Sequence, residues 1–200
     1  MSNKLLLTEF MEIRSNPDLL TEEERKSMED GEAVYLAGVM QRAGATNGNG
    51  RVYPLDILKR EVENYKKLVR EGRSVGELDH PDSSVVELKN TSHMVTEINM
   101  DGKDVIGKIK LLETNAGKTA IELIKGGVKL GISSRGLGST KEEGNKTVVQ
   151  DDFQLICFDL VSEPSTTGAF MLKEGKEPNI FTKADKINRM LNDILSEENK

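Results

Sequence analysis

The sequence has no tryptophan, one cysteine and two histidines, and only 4% of its 200 residues are aromatic. Each shortage excludes something. A single cysteine, Cys157, can neither close an intramolecular disulfide nor build a cysteine-based zinc site, and it suits a reducing compartment. With so few rings, the core is expected to rest on leucine, isoleucine, valine and methionine. The opening MSNKLLLTEFMEIRSN offers three leucines before Thr8 and Glu9, too short a run for a signal-peptide core. No segment approaches the roughly 20 apolar residues of a membrane helix. A soluble, intracellular protein without a membrane partner is therefore expected. Positive charge is also scarce. The 28 Lys and Arg against 34 Asp and Glu leave a net charge of −6, which argues against nucleic-acid binding by phosphate neutralisation. Chemistry that needs an imidazole near neutral pH must use His80 or His93.

What is present suffices for one folded domain: 36% hydrophobic residues and 31% charged ones exclude a wholly disordered chain. Residues 1–31 read as charged and irregular, except for a short helix capped by Thr21 ahead of Glu22–Glu24 and ending by Gly31. A strand is expected over 32–40 and a turn cluster at 43–51. Pro54 opens an amphipathic helix to Glu71, with Leu55, Leu58, Val62, Tyr65, Leu68 and Val69 on one face. Strands over 91–100 and 104–112 flank the hairpin signal Asp101-Gly102. A helix follows over 115–126, then strands over 128–134, 147–150 and 153–161, with a charged turn at 141–146. Residues 174–182 read as a linker and 183–198 as a terminal helix. Hairpin signals outnumber βαβ alternation, which favours a mostly antiparallel barrel or sandwich with packed helices.

Three features carry candidate chemistry. His80 lies in the shaped turn GELDHPD (76–82), where it reads as a catalytic loop histidine or a solvated turn residue. His93 lies in a strand and reads first as structural. The GISSRGLGS run (131–139) is either a Gly/Ser loop or a place where small residues let a substrate backbone approach and N–H groups converge on an oxyanion. It is not the G-x-S-x-G elbow. Strand alternation places Val128, Leu130, Ile132 and Ser134 on an inward face and Ser133 on the other, so Ser133 is preferred over Ser134 as a nucleophile. Asp159 stands in the apolar run LICFDLV (155–161), where a carboxylate needs donors. A histidine N–H, a basic side chain or an edge position facing water would each serve. Glu77, Asp79, His80 and Asp82 could instead hold a divalent cation, but the EF-hand pattern is missing. No metal and no organic cofactor are expected.

The words GELDHP and GISSRGLGS, in that order and about 50 residues apart, resemble the His and Ser motifs of the prohead core proteases of contractile-tailed phages. RVYPLDILKREVENY (51–65) and DLVSEPS (159–165) resemble further segments of that family, and the likeness spans 32–170. The family is related in fold to herpesvirus assemblin. The resemblance therefore implies a mainly β fold with flanking α-helices, closed into an antiparallel β-barrel. It implies a serine endopeptidase acting in the host cytoplasm inside the assembling prohead. Substrates would be scaffold or core proteins, the N-terminal segment of the major capsid protein, and the protease itself. Ser133 matches the nucleophile and His80 the general base. Asp159 is expected as the third member, with His93 its rival, because the herpesvirus relatives use a second histidine. N–H groups near Arg135 and Gly136 would hold the oxyanion. The implied preference for cleavage after Leu/Ile-x-Glu points to Leu172-Lys173-Glu174 followed by Gly175. Cleavage between Glu174 and Gly175 would separate a protease domain (1–174, core 32–170) from a linker and helical tail (175–200). A competing class is a non-catalytic capsid scaffold or binding module of the same fold. Homo-oligomerisation is left open.

Overall fold

The leucines at the start of the chain are part of a strand, not of an irregular lead. A computed structural model describes residues 4–11, 16–81 and 83–162. In it β1 (Leu5–Met11) pairs antiparallel with β7 (Gly131–Gly138), and Leu7 is fully buried. The partner lies more than a hundred residues away, so no local signal marks β1.

The helices form where caps and periodicity call for them. α1 (Glu22–Glu29) begins at a capping box: Glu24 N–H donates to Thr21 Oγ1 at 3.2 Å, and Thr21 N–H donates to Glu24 Oε2 at 2.8 Å. α2 (Leu55–Arg70) follows Pro54 and buries Ile57, Leu58, Val62 and Tyr65. α3 (Asn115–Lys125) is capped by Thr114, whose hydroxyl accepts from Gly117 N–H at 3.0 Å. Each such cap is worth about 1 kcal/mol.

The strands assemble into three sheets. β7 is central in the first, between β1 and β10 (Gln154–Val161). The second has the order β2 (Tyr35–Arg42), β6 (Asp104–Leu111), β5 (Thr91–Asp101), β4 (Val75–Glu77). The expected β5–β6 hairpin turns at Gly102, whose φ of 57° lies in the left-handed region. The third sheet contains β3 (Arg51–Val52), β9 (Lys146–Val149) and β8 (Thr140–Glu143), and β3 runs parallel to β9. The charged segment at 141–146 is thus a small hairpin.

The expected closed antiparallel barrel is not formed. Among the described residues the fold is mixed α/β with three open sheets. Between the first two, β4 is joined to β10 by the isolated parallel bridge between Leu78 and Leu160 and the 2.7 Å hydrogen bond from Asp79 N–H to Leu160 O. Their other edges, β1 and β2, share no ladder. Closure needs a continuous staggered ladder around every strand, and hairpin signals specify only neighbouring pairs.

Four aromatic residues pair in the core. Tyr53 meets Phe153 edge-on at 5.2 Å between ring centroids, and Tyr65 meets Phe158 at 5.6 Å. Each pair adds about 0.5–1.5 kcal/mol beyond its area burial. Through Tyr65, α2 packs against β10, so the first sheet has core on one face. Its other face carries the site.

Candidate active site

Ser133 and Asp159 are direct partners across the β7–β10 ladder. Opposed side chains of an antiparallel pair share a face, and Arg135, two residues on, shares it too. The opposite face carries Ile132, Phe158 and Leu160, all fully buried. Ser133 therefore points away from Ile132, as strand alternation predicts, although Ser133 is itself only 1% exposed. The sequence reading made only one face inward, whereas here both are covered. Ser134 is equally buried, on the core side.

His80 arrives from the seam between the first two sheets. The Leu78–Leu160 bridge lays the end of β4 along β10. Asp79 then takes φ of 66°, an uncommon conformation for a residue with a side chain, and turns the chain so that the next residue reaches back over the sheet. Gly76 makes the seam passable. A β-carbon there would collide with the Phe158 carbonyl oxygen and the His93 ring.

The three side chains form a continuous line. His80 Nε2 lies 2.5 Å from Ser133 Oγ, and His80 Nδ1 lies 2.9 Å from Asp159 Oδ2. An ionised carboxylate only accepts, so Nδ1 carries the proton donated to Asp159. Nε2 is then free to accept from the Ser133 hydroxyl. The His80 side chain is 24% exposed and Asp159 is fully buried, so solvent reaches the line at the imidazole.

Asp159 finds both kinds of partner that the sequence left open. Besides His80 it receives Glu77 N–H at 3.0 Å and Arg135 Nη2 at 3.2 Å on Oδ1, with Arg135 Nε 2.8 Å from Oδ2. Cys157 Sγ–H adds a weak contact at 3.3 Å. Burial alone would push this carboxyl's pKa up. The His80 hydrogen bond, the Arg135 charge and the Glu77 N–H outweigh it, so Asp159 titrates below its ordinary value. The Cys157 thiol is pushed well above its usual range, by burial first and by the Asp159 charge next, and is not a nucleophile.

His93 does not join this line. It is fully buried, with Nδ1 2.9 Å from Ser92 Oγ and Nε2–H donating to Phe158 O at 3.0 Å. Burial lowers its pKa to about 4, against the opposing pull of Asp159 and the Phe158 carbonyl. The side chain next to His80 in the line is Asp159, and His93 contacts Ser92 and the Phe158 carbonyl instead.

Arg135 and Gly136 are also differently placed from the expectation. Both lie mid-strand between β1 and β10, where N–H groups run sideways into the ladders and not toward the space in front of Ser133. The Arg135 guanidinium is fully buried and committed to carboxylates, and a β-carbon at Gly136 would meet the Phe153 ring. The cation-site reading does not converge either. Glu77 turns inward to Arg135 while His80 faces Ser133, and Asp82 lies outside the described residues. Glu174, Gly175, the linker and the tail helix also lie outside them. The sequence reading missed Glu77 and Arg135 as internal partners of Asp159. The available signal was an arginine beside the serines and a glutamate between Gly76 and Leu78, each next to small residues that permit burial.

The fold and this serine-centred site define a class, and comparison with known proteins identifies it. The chain belongs to the prohead core protein serine protease family, whose family model matches residues 9–180, and it is a serine protease. The prohead core protein protease of Enterobacteria phage T4 is 31% identical over 163 residues, covering 76% of each chain. A solved structure of the bacteriophage T4 capsid assembly protease covers 81% of this chain and 99% of its own, with a TM-score of 0.69 and 23% identity, a likeness of fold.

Proposed function

We propose that this protease is a prohead maturation enzyme in which Ser133 is the nucleophile, His80 the general base and acid, and Asp159 the residue that orients and charges-balances His80. The observation that supports this reading is the line Ser133 Oγ, His80 Nε2, His80 Nδ1, Asp159 Oδ2, joined at 2.5 and 2.9 Å. A non-catalytic scaffold module of the same fold has no use for it.

The chemistry follows from the proton positions. His80 Nε2 takes the Ser133 proton as Oγ attacks the scissile carbonyl carbon. The imidazolium so formed faces ionised Asp159, and its proton passes to the leaving amine as the C–N bond breaks. Water then attacks the acyl-serine with His80 again taking the proton, and returning it to Oγ releases the acid. Asp159 itself stays ionised throughout.

The substrates proposed are proteins of the assembling capsid, namely the internal scaffold or core and the N-terminal segment of the major capsid protein, cut inside the prohead within the host cell. Cleavage after Leu/Ile-x-Glu is part of the proposal. So is autocleavage between Glu174 and Gly175, which divides the chain into 1–174 and 175–200. These finer points rest on the sequence resemblance and on the LKEG run itself. Mass spectrometry of the cognate scaffold protein after incubation with wild-type and Ser133→Ala chains tests them. Expected are scaffold fragments ending in glutamate, and a released peptide beginning at Gly175, with wild type alone. Fragments that form equally with Ser133→Ala contradict the nucleophile. Wild-type fragments ending elsewhere contradict the specificity.

A further inference from the structure

Arg135 is the largest fully buried side chain among the described residues, and the acyl-transfer steps do not use it. Its guanidinium pairs with Glu77 Oε2 through Nη2, touches Asp159 through Nε at 2.8 Å and Nη2 at 3.2 Å, and donates from Nη1 to Ser83 O at 2.6 Å. Glu77 is equally buried. Its second oxygen accepts Glu87 N–H at 3.1 Å, and its own N–H donates to Asp159. Ser83 and Glu87 belong to the segment that carries His80. One buried pair thus holds Asp159 and, at two points farther along, the segment that carries His80.

Two physical arguments separate this arrangement from ordinary core stabilisation. A buried ion pair contributes little net stability, because desolvation offsets its Coulomb attraction, so stability alone gives no reason to keep one here. The charge count also fits catalysis. Two carboxylates and one guanidinium leave one net negative charge beside a neutral His80. That charge is neutralised when the imidazolium forms.

We propose that Arg135 and Glu77 are positioning residues of the protease, holding Asp159 ionised in one orientation and fixing the His80 segment over it. The inference rests on the Ser133–His80–Asp159 reading. Arg135 reaches both oxygens of Asp159, Nη2 at Oδ1 and Nε at Oδ2, and shares Oδ2 with the His80 imidazole. Its planar fork matters as well as its charge, since it bridges two carboxylates at once.

Covalent labelling of the full chain with a fluorophosphonate probe, at a series of probe concentrations, tests the proposal. It separates the maximal labelling rate from the half-saturating concentration. The variants are Glu77→Gln, Arg135→Lys and the paired Glu77→Gln/Arg135→Met, with thermal melts on each. Removing both members together leaves the net charge of the cluster unchanged, with Asp159 still held by His80 Nδ1 and the backbone N–H of residue 77, so the paired variant is expected to stay folded with a lower melting temperature. Its maximal rate is expected to fall about 10–100-fold, as when outer-shell partners are lost elsewhere, with half-saturation unchanged. Arg135→Lys keeps the charge without the fork and is expected to lose less. A folded paired variant that labels at the wild-type rate overturns the proposal. If the paired variant does not fold, Glu77→Gln decides by the same two criteria. Ser133→Ala run alongside separates the failures: labelling that survives in it overturns the nucleophile reading, whereas loss of labelling there with full rates in the other variants overturns the positioning role alone.

Discussion

Ser133 and Asp159 face each other across one rung of the β7–β10 ladder, and His80 bridges them from the turn that follows β4, 2.5 Å from one and 2.9 Å from the other. Sheet register fixes two of the three groups to within a rotamer, and the seam at Leu78–Leu160 fixes the third. The predictions below follow from that division of labour.

Asp159→Asn removes the charge and keeps the shape. An asparagine amide can donate to Nδ1, which turns Nε2 into an N–H pointing at Ser133. On that ground kcat for peptide hydrolysis is expected to fall about 10³–10⁴-fold with KM little changed. Steady-state kinetics on a fluorogenic peptide check this. A loss below tenfold contradicts the orienting role.

Gly76→Ala tests the seam. The new methyl group meets the Phe158 backbone oxygen and the His93 ring, neither of which can swing aside as a flexible chain end would. A destabilisation of about 1–3 kcal/mol is expected, seen as a Tm lower by several degrees. A melt superimposable on wild type contradicts the close approach.

His93 gives stability a pH dependence of definite sign. Its folded value of about 4 lies below the ordinary 6.5 because burial disfavours the imidazolium. Between those values the unfolded chain binds a proton that the folded chain refuses. This contribution to stability is therefore whole above about pH 6.5 and is lost as pH falls toward 4, at up to about 1.4 kcal/mol per pH unit and roughly 3 kcal/mol in total. Carboxylates lowered by their partners, Asp159 and Asp104 among them, add their loss only below about pH 4. Urea midpoints from pH 7 to 4 are expected to fall for wild type and to fall less steeply for His93→Gln. Equal slopes contradict the buried neutral histidine.

What could be read in advance divides along physical lines. The three helices were legible because their determinants are local: the Thr21 and Thr114 caps, Pro54 before Leu55, and apolar residues at helical spacing. The Asp101-Gly102 hairpin was legible for the same reason. β1 was not, since its partner is β7 far along the chain, nor were β3 and β4, which are too short to show a period. The closed barrel was expected from the family resemblance, and the pairing signals, which left barrel and sandwich both open, do not encode how many edges stay open. At the site, Ser133, His80 and Asp159 were named chiefly through the family's motif words. The residues alone offered a buried aspartate in want of a donor. Arg135 was named only for the N–H groups near it that would hold an oxyanion. Its burial depends on Glu77 and Asp159, whose convergence only the seam creates.

The most direct test of the central claim is peptide mapping of the wild-type chain after reaction with a fluorophosphonate probe. The account predicts one adduct, on Ser133, and its loss in His80→Ala. An adduct on Ser134, or labelling undiminished in His80→Ala, contradicts it.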